Sequence, residues 1–312
     1  MPKIGVLYLG GAKRLTVTDL LKQAYASLGY TVDAYSYELS EEEPIASSAT
    51  VIIGKRWSDP DVYADLERII DSYGITVLLP FVDGAIEIAA RIAERRDDIY
   101  VPGCSSALSS ALFDKAASER LFAAAGVDIP ATYTPGDTPA FPLIAKPRCG
   151  SASRGILVVR DDSDLRAIAD PDNYLIQEYI EGAEEYTVDC FIDRSKKICA
   201  LSPRRRIATL GGEVIRTVTV DIPALTAASR RTIEHLGLRG AVTLQYLHGG
   251  GRFLLMEINP RLGGGVTASI AAGADITRMI AAESTGNPVP ELAAQPGVLT
   301  MRCFQDITIF PS

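Results

Sequence analysis

The first hundred residues alternate apolar segments with segments of helical periodicity, and this alternation constrains the fold more than any other feature of the sequence. The predicted strands are residues 3–9, 31–37, 51–54 and 75–81, and the predicted helices are residues 14–28, 61–72 and 84–95. Buried strands that are separated by helices form a parallel sheet covered on both faces. We therefore expect an N-terminal α/β domain with a parallel sheet.

Two positions at the ends of these strands carry candidate functional residues. Gly10 and Gly11 follow the first strand, but the full G-x-G-x-x-G pattern is absent, so a plain turn is a better interpretation than a dinucleotide loop. Asp83 follows the strand at 75–81, where open sheets place ligand contacts. Asp83 is equally consistent with the N-cap of the next helix, and both interpretations stay open.

Composition and charge narrow the functional classes. The 312 residues are 47% hydrophobic, which predicts globular domains, and the formal net charge of −8 argues against a general nucleic-acid binder. Five cysteines without a C-x-x-C pair predict reduced thiols. The sequence starts in a strand without a signal-peptide pattern, and no apolar run reaches the length of a membrane span. We therefore expect a cytoplasmic protein without nucleic-acid or membrane partners.

Residues 253–267 predict a strand that ends in polar side chains and glycines. Alternation along the strand divides its side chains between two faces: Phe253, Leu255, Glu257 and Asn259 on one, and Leu254, Met256 and Ile258 on the other. Pro260 ends the strand, and Arg261 follows it. The glycines at 263–265 let the backbone approach a ligand and point N–H groups at an anion. These groups predict a site for a metal-bound phosphate, and a polar strand end with a flexible turn is the alternative.

The preceding strand, at residues 241–247, supplies a third polar side chain. If His248 pairs with Arg252 across a hairpin turn, Gln245 is a diagonal neighbour of Glu257 on the same face. Carboxylate and amide oxygens are the ligands that Mg²⁺ prefers in proteins. We therefore predict a Mg²⁺ site, which Mn²⁺ could also occupy, at Gln245, Glu257 and Asn259.

The motif Glu257-x-Asn259-Pro260-Arg261, with Gln245 on the previous strand, resembles the metal-binding end of the ATP-grasp ligases, and the carbamoyl-phosphate-synthetase-like branch in particular. The resemblance implies an ATP-grasp fold of α/β and α+β domains. It also implies three parts: an N-terminal Rossmann-like (pre-ATP-grasp) domain at residues 1–105, linker helices with a lid subdomain at 106–176, and a C-terminal subdomain with the metal site at 177–312.

The same resemblance assigns nucleotide contacts upstream of the metal site. Lys115 opens a predicted helix and Lys146 ends an apolar strand, and both are expected to contact ATP phosphates. The loop after Lys146 is rich in glycine and hydroxyl groups, and with Ser151 and Ser153 it is expected to cover the phosphates as a lid. Without the resemblance, the lysines would be solvated side chains and the loop an ordinary surface loop.

A second group of nucleotide contacts is expected after the lid. The segment Gln177-Glu178-Tyr179-Ile180 resembles the hinge that binds adenine through backbone groups. Glu185 resembles the ribose-binding carboxylate, but Glu178 or Glu181 could hold that role, and the sequence leaves the choice open.

The function that the resemblance implies is the ATP-dependent joining of a small carboxylate, with amino acids among the candidates, to an amine. The carboxylate would take the γ-phosphoryl group, and the amine would then attack the acyl phosphate, with ADP and phosphate as products. Arg261 and Arg206 are the expected catalytic cations, although a basic run such as 204–206 is also typical of a solvated face. An ATP-grasp kinase and a non-catalytic ATP-binding subunit are the alternatives, and a homodimer is left open.

Overall fold

The computed structural model describes residues 1–134, 137–149, 155–168 and 170–308. Ser151 and Ser153, the predicted lid serines, lie outside the described residues.

The N-terminal sheet is parallel and carries helices on both faces. Its strands are β1 (Lys3–Leu9), β2 (Thr31–Glu38), β3 (Thr50–Ile53) and β4 (Ile75–Pro80), in the order β3-β2-β1-β4. The helices are α1 (Leu15–Ser27), α2 (Val62–Tyr73) and α3 (Asp83–Ala93). Val6 packs in one core with Leu21 of α1, and Leu7 packs in another with Leu66 of α2. The predicted parallel sheet is therefore confirmed.

Two helices connect this sheet to the rest of the chain: α4 (Ser106–Phe113) and α5 (Lys115–Ala124). The helix that Lys115 was expected to open is confirmed, and Asp114 caps it by accepting hydrogen bonds from the N–H groups of Ala116 and Ala117. Helix α4 begins at Ser106, where the linker helices were expected to start. The Ser105 hydroxyl caps it by accepting the N–H of Leu108.

A small antiparallel sheet follows, with strands β5 (Thr132–Tyr133), β6 (Leu143–Pro147), β7 (Leu157–Val159) and β8 (Tyr174–Glu178) in the order β5-β8-β6-β7. The helix α6 (Asp162–Arg166) adjoins it, and Leu143, Ala145 and Val159 form its small core. Strand β8 extends two residues beyond the expected end of the lid at 176.

The largest sheet has six antiparallel strands: β9 (Glu184–Ile192), β10 (Ile198–Leu210), β11 (Glu213–Thr219), β12 (Gly240–Gly249), β13 (Arg252–Asn259) and β14 (Leu299–Met301). Their order in the sheet is β13-β12-β9-β10-β11-β14. Its helices are α7 (Pro223–Leu236), α8 (Val266–Ala271) and α9 (Ile276–Ser284). After α9, β14 is the one strand that the described residues form, and residues 302–308 adopt no regular structure.

The register of the β12–β13 hairpin differs from the predicted one. Gly250 and Gly251 form a two-residue turn with φ of 57° and 75°, so Gly249 pairs with Arg252 and His248 with Phe253. A bulge at Met256 then shifts the pairing again, so Gln245 lies directly opposite Glu257 and not diagonal to it.

The bulge at Met256 also corrects the predicted faces of β13. Leu255 and Ile258, three residues apart, both pack in the core, whereas Met256, Glu257 and Asn259 line the opposite side. The extra residue reverses the alternation, so the four residues that were expected on one face are divided between two.

One hydrophobic core joins the N-terminal sheet to the large sheet. Tyr8 of β1 and Leu21 of α1 pack in the same cluster as Phe191 of β9 and Met279 of α9. The Tyr25 hydroxyl also bonds the Ser284 hydroxyl at 2.6 Å. No helix in the described ranges is both long and apolar enough to cross a membrane.

Candidate active site

A cavity of about 810 Å³ lies where the three sheets meet. Arg14 and Asp83 reach it from the N-terminal domain, Lys146 from the small sheet, and Glu257 from the large sheet. The predicted site residues that the structure describes all line this cavity: Lys115, Lys146, Gln177, Glu178, Tyr179, Ile180, Glu185, Arg206, Gln245, Glu257, Asn259 and Arg261. Residues that lie up to about 150 positions apart in the sequence are thus brought together by the fold.

The three predicted metal ligands form a compact group near the C-terminal end of β13, away from the hairpin turn. Gln245 pairs with Glu257 across the strands, and Asn259 is two residues further along. The Glu257 carboxylate accepts no hydrogen bond from the described residues, so it is available to a ligand. No group of three His, Cys, Asp or Glu side chains with metal-binding geometry occurs in the described ranges. A cation held here would have one carboxylate and two amide oxygens from the chain and would need further oxygens from its ligand.

Two lysines lie near the Glu257 carboxylate. Lys115 is the first residue of α5, and its backbone N–H donates to the Arg148 carbonyl at 2.9 Å. Lys146 donates to Gln177 Oε1 at 2.9 Å. Burial lowers the pKa of Lys146, the positive charge of Lys115 lowers it further, and the Glu257 carboxylate opposes the shift. A buried ammonium is costly, so an anionic ligand that pairs with Lys146 would relieve a cost that the chain otherwise bears.

Two backbone N–H groups of the predicted adenine hinge already donate hydrogen bonds within the protein. The Glu178 N–H donates to the Ala131 carbonyl at 2.8 Å and the Tyr179 N–H to the Pro142 carbonyl at 3.3 Å. The Gln177 side chain is buried and donates to Glu119 Oε1 at 3.0 Å. Among the backbone donors of this segment, Ile180 N–H is the one that has no partner in the described part of the chain.

The three candidate ribose carboxylates differ in position. Glu185 lines the cavity and pairs with Arg206 at 3.1 Å. Glu178 also lines it, but its Oε1 accepts the Ala131 N–H at 2.9 Å. Glu181 is exposed and does not line the cavity. Glu185 is therefore the best placed of the three.

Arg206 lies inside the cavity and not on a solvated face. Its Nη1 donates to Gln245 Oε1 at 3.3 Å and its Nη2 to the Gly212 carbonyl at 2.9 Å, while Nε is buried without a partner among the described residues. Burial lowers the pKa of Arg206, and the Glu185 carboxylate opposes the shift. The side chain thus links the metal-ligand group to the wall that carries Glu185.

Arg261 and Asp83 form an ion pair between the loop after β13 and the N-terminal domain. Nη2 of Arg261 donates to Asp83 Oδ1 at 3.0 Å and also to Asn259 Oδ1 at 3.3 Å. Asp83 is the first residue of α3, whereas Val82 occupies the N-cap position, which has no side-chain hydrogen bond. The N-cap interpretation of Asp83 is therefore wrong, and the aspartate faces the cavity.

The glycines at 263–265 are required chiefly by close packing. A Cβ on Gly263 would lie 2.7 Å from Thr243 Oγ1, and a Cβ on Gly265 would lie 2.9 Å from the Arg204 guanidinium carbon. Only Gly264 has room, with Arg14 Nη1 at 3.5 Å from its Cβ position. Ligand approach, which the glycines alone suggested, stays a prediction for this loop.

Sequence reasoning missed two cations of the cavity. Arg14, just before α1, stacks its guanidinium carbon 5.6 Å from the centre of the Phe81 ring. Arg204 is 2% exposed and pairs through Nε with Asp189 Oδ2 at 2.8 Å, while its Nη1 has no partner in the described ranges. No motif marks Arg14, and the arginine run at 204–206, which is typical of a solvated face, does not indicate that Arg204 is buried.

The chain is similar to several known proteins. Residues 170–307 match a family model described as "ATP-grasp in the biosynthetic pathway with Ter operon". Over 287 residues the chain is 25% identical to the carbamoyl phosphate synthase large chain of Bifidobacterium animalis subsp. lactis, covering 81% of this chain and 24% of that protein. It is 23% identical to the D-alanine–D-alanine ligase of Syntrophotalea carbinolica over 241 residues, covering 68% of this chain and 77% of that protein.

The fold is also similar to a solved structure. The biotin carboxylase domain dimer of the Hydrogenobacter thermophilus 2-oxoglutarate carboxylase, in complex with MgADP, ADP and bicarbonate, superposes with a TM-score of 0.71 at 19% identity. The match covers 91% of this chain and 70% of that one.

The fold is the ATP-grasp fold. The match of residues 170–307 to an ATP-grasp family model, together with the similarity to carbamoyl phosphate synthase large chains, confirms the resemblance inferred from the motif around Glu257. The chain spans about a quarter of the length of the Bifidobacterium large chain, since 24% of that protein is covered.

Proposed function

We propose that this chain is an ATP- and Mg²⁺-dependent ligase that joins a small carboxylate to an amine through an acyl phosphate, releasing ADP and phosphate. One observation carries the proposal: Gln245, Glu257 and Asn259 share a single cavity with Lys146 and Arg261. Oxygen ligands for a hard cation and fixed positive charges for phosphates are what phosphoryl transfer to a carboxylate requires.

The nucleotide is proposed to lie between the small and the large sheet. Ile180 N–H would bind adenine, Glu185 would accept the ribose hydroxyls, and Lys115 and Lys146 would bind the phosphates. The observations that support this arrangement are the Ile180 N–H, which has no partner among the described residues, the position of Glu185 on the cavity wall and the burial that lowers the pKa of Lys146.

The donor set fits Mg²⁺, because Glu257 supplies a hard anionic oxygen without a competing partner and Gln245 and Asn259 supply amide oxygens. A bound Mg²⁺ would neutralise charge on the β- and γ-phosphates. The chain's own residues orient these ligands: Arg206 donates to Gln245 Oε1, and Arg261 donates to Asn259 Oδ1. Each amide oxygen is thereby fixed toward the cavity by a cation that is itself part of the site.

The carboxylate substrate is proposed to bind beside Arg261. Two anions must meet during the reaction, and a fixed guanidinium lowers their repulsion. Asp83 holds the Arg261 guanidinium at 3.0 Å, and the buried, unpartnered Nη1 of Arg204 supplies a second donor on the same wall. The small sheet above Lys146 would exclude water from the acyl phosphate.

The test is a screen of amino acids and small carboxylates for acid-stimulated ADP release, followed by trapping with hydroxylamine. We expect a hydroxamate that depends on ATP, Mg²⁺ and the acid. A stable phosphate ester in place of the hydroxamate would identify a kinase, and ATP binding without any acid-stimulated turnover would identify a binding subunit. Either result contradicts the proposal.

We further propose that the protein acts in the cytoplasm and assembles as a homodimer. The five cysteines are free thiols, as expected in a reducing compartment, and the similar biotin carboxylase domain is a dimer. A mass near twice 33.4 kDa from light scattering is expected, and a monomer at assay concentrations would contradict the homodimer.

A further inference from the structure

A second cavity, of about 110 Å³, adjoins the main one behind the metal-ligand group. We call it the side pocket. It is lined by the start of α3, the end of α4 and the end of β13. Asp83, Lys115, Glu257 and Asn259 line both cavities, so a molecule in the side pocket would reach the place where the acyl phosphate is proposed to form.

The side pocket contains a buried polar atom without a partner. Ser109 is 4% exposed, and its Oγ makes no hydrogen bond with any described residue. Ser106, one turn earlier on α4, is also buried, but its hydroxyl donates to Glu94 Oε2 at 2.7 Å. Burying a hydroxyl without a hydrogen bond destabilises the fold, and a ligand that bonds Ser109 would remove that cost.

The hydrogen-bonding groups around the side pocket favour an amine over an acid. Three carboxylates line it, from Asp83, Glu87 and Glu257, and one ammonium, from Lys115. Two of these carboxylates have cationic partners, since Glu87 pairs with Arg91 at 2.6 Å and Asp83 holds Arg261 through Oδ1. Oδ2 of Asp83 accepts no hydrogen bond in the described ranges, so it can accept one from a nitrogen, as the Ser109 Oγ can.

The rest of the wall is apolar. Ile86 and Leu112 are buried, and Phe113 is 43% exposed at the rim. The cavity volume leaves room for a chain of only a few non-hydrogen atoms beside the nitrogen.

We propose that the side pocket is the acceptor site and binds a primary amine with a short apolar chain, its nitrogen between Ser109 Oγ and Asp83 Oδ2. This inference rests on the proposed function. The nitrogen lone pair forms the new C–N bond with the acyl carbon, and the C–O bond to phosphate breaks with its electron pair on the phosphate. The proton that nitrogen loses passes to Asp83 Oδ2 and then to the departing phosphate.

The experiment separates activation of the acid from capture by the amine. Acid activation is followed without amine, as acid-dependent exchange of ¹⁸O from the β,γ-bridge of ATP into non-bridging positions. Amine capture is followed as product formation with n-propylamine as the probe. The variants are Ser109→Ala, which removes the hydroxyl, and Leu112→Phe, which fills the pocket, with the exposed neighbour Ser110→Ala as the matched control.

We expect Ser109→Ala to raise the KM for n-propylamine about tenfold, as the loss of one hydrogen bond to nitrogen would, and Leu112→Phe to raise it further. Isotope exchange should fall far less than amine capture in both variants, and Ser110→Ala should change neither. Unchanged KM values for n-propylamine in Ser109→Ala and Leu112→Phe would overturn the inference.

Absence of acid-dependent isotope exchange in the unsubstituted protein would instead overturn the proposed function. The side pocket is then tested by binding alone, as saturation-transfer NMR of n-propylammonium with the intact chain. A signal that Leu112→Phe abolishes and Ser110→Ala preserves would support an amine site, and a signal that both variants preserve, or no signal at all, would refute it.

Discussion

Asp83 and Arg261 are 178 positions apart in the sequence and form an ion pair of 3.0 Å with each side chain 16% exposed. Asp83 begins α3 in the N-terminal domain, and Arg261 follows the metal end of β13. The pair fixes Arg261 against the N-terminal domain, so the position of this proposed catalytic cation depends on both parts of the chain.

Arg261→Ala should suppress hydroxamate formation about 100-fold or more while changing the Kd for ATP much less. The reason is that the guanidinium is placed where charge develops during phosphoryl transfer, and not where the adenine binds. The measurement is hydroxamate yield beside equilibrium ATP binding. Arg205→Ala is the control, because Arg205 pairs with Glu184 outside the cavity. Equal losses of binding and of hydroxamate would place Arg261 in ATP binding.

Glu257→Gln should lower turnover about 100-fold or more, because it removes the one anionic oxygen of the proposed metal-ligand group. Steady-state ADP release is measured over a range of Mg²⁺ concentrations. Glu178→Gln serves as the comparison, since that carboxylate is bonded to the Ala131 N–H. Near-normal turnover of Glu257→Gln at saturating Mg²⁺ would rule out the metal assignment.

Lys146→Ala should raise the Kd for ATP about tenfold or more without lowering the Tm of the ligand-free protein. Burial lowers the pKa of Lys146 in the folded state. When the pKa of a lysine is lower in the folded than in the unfolded state, protonation of the lysine reduces the free energy of unfolding at every pH below the unfolded-state pKa. Removing the ammonium therefore costs no stability at pH 7. Calorimetry and an ATP titration test this, and a lower Tm with intact ATP affinity would make Lys146 a structural residue.

Asp189→Asn should destabilise the fold by about 3 kcal/mol or more, because it leaves the buried Arg204 charge without its partner. The side chains of this pair are 1% and 3% exposed, and Asp189 also accepts the Ser269 hydroxyl at 2.6 Å. Glu184→Gln breaks an exposed ion pair and should cost less than about 1 kcal/mol. Urea unfolding measures both values, and similar costs for the two substitutions would contradict this account.

The rate at which Cys149 is labelled should show whether MgATP binds in the cavity. Cys149 and Cys303 are exposed, whereas burial raises the pKa of Cys104 and of Cys199 to about 11. N-ethylmaleimide at pH 7 should therefore label the two exposed thiols first, because the thiolate is the nucleophile. Cys149 lines the cavity, so MgATP should slow its labelling and leave Cys303 unaffected. Mass spectrometry of peptides gives both rates, and equal rates with and without MgATP at Cys149 would contradict the proposed nucleotide position.

Much of the fold could be predicted because its signals are local. The strands of the N-terminal sheet are apolar segments between helices, and Asp114 precedes α5 in a standard capping position. Strands β10 and β11 were not predicted, because the arginine run at 204–206 suggested a solvated face. Arg204 is instead buried through a partner on another strand, Asp189, and sequence periodicity does not report such pairings.

The residues of the candidate site also divide into those that local sequence signals identify and those that depend on how distant elements pack. Short motifs identified Glu257, Asn259 and the lysines, and the structure places them in one cavity. The side pocket could not be predicted, because it depends on how α3 and α4 pack against β13. Ser109 is one of four serines between positions 105 and 110, and what distinguishes it is a buried hydroxyl without a hydrogen-bond partner among the described residues.

The extra residue at Met256 divides the β12–β13 hairpin into two stretches that tolerate change differently. Between the Gly250–Gly251 turn and Met256, paired insertions would lengthen the hairpin and leave the cavity intact. Between Met256 and Asn259, losing a single residue would turn the Glu257 carboxylate into the core beside Ile258. Length variation in this hairpin is therefore expected near its tip, while the four positions 256–259 keep a fixed count.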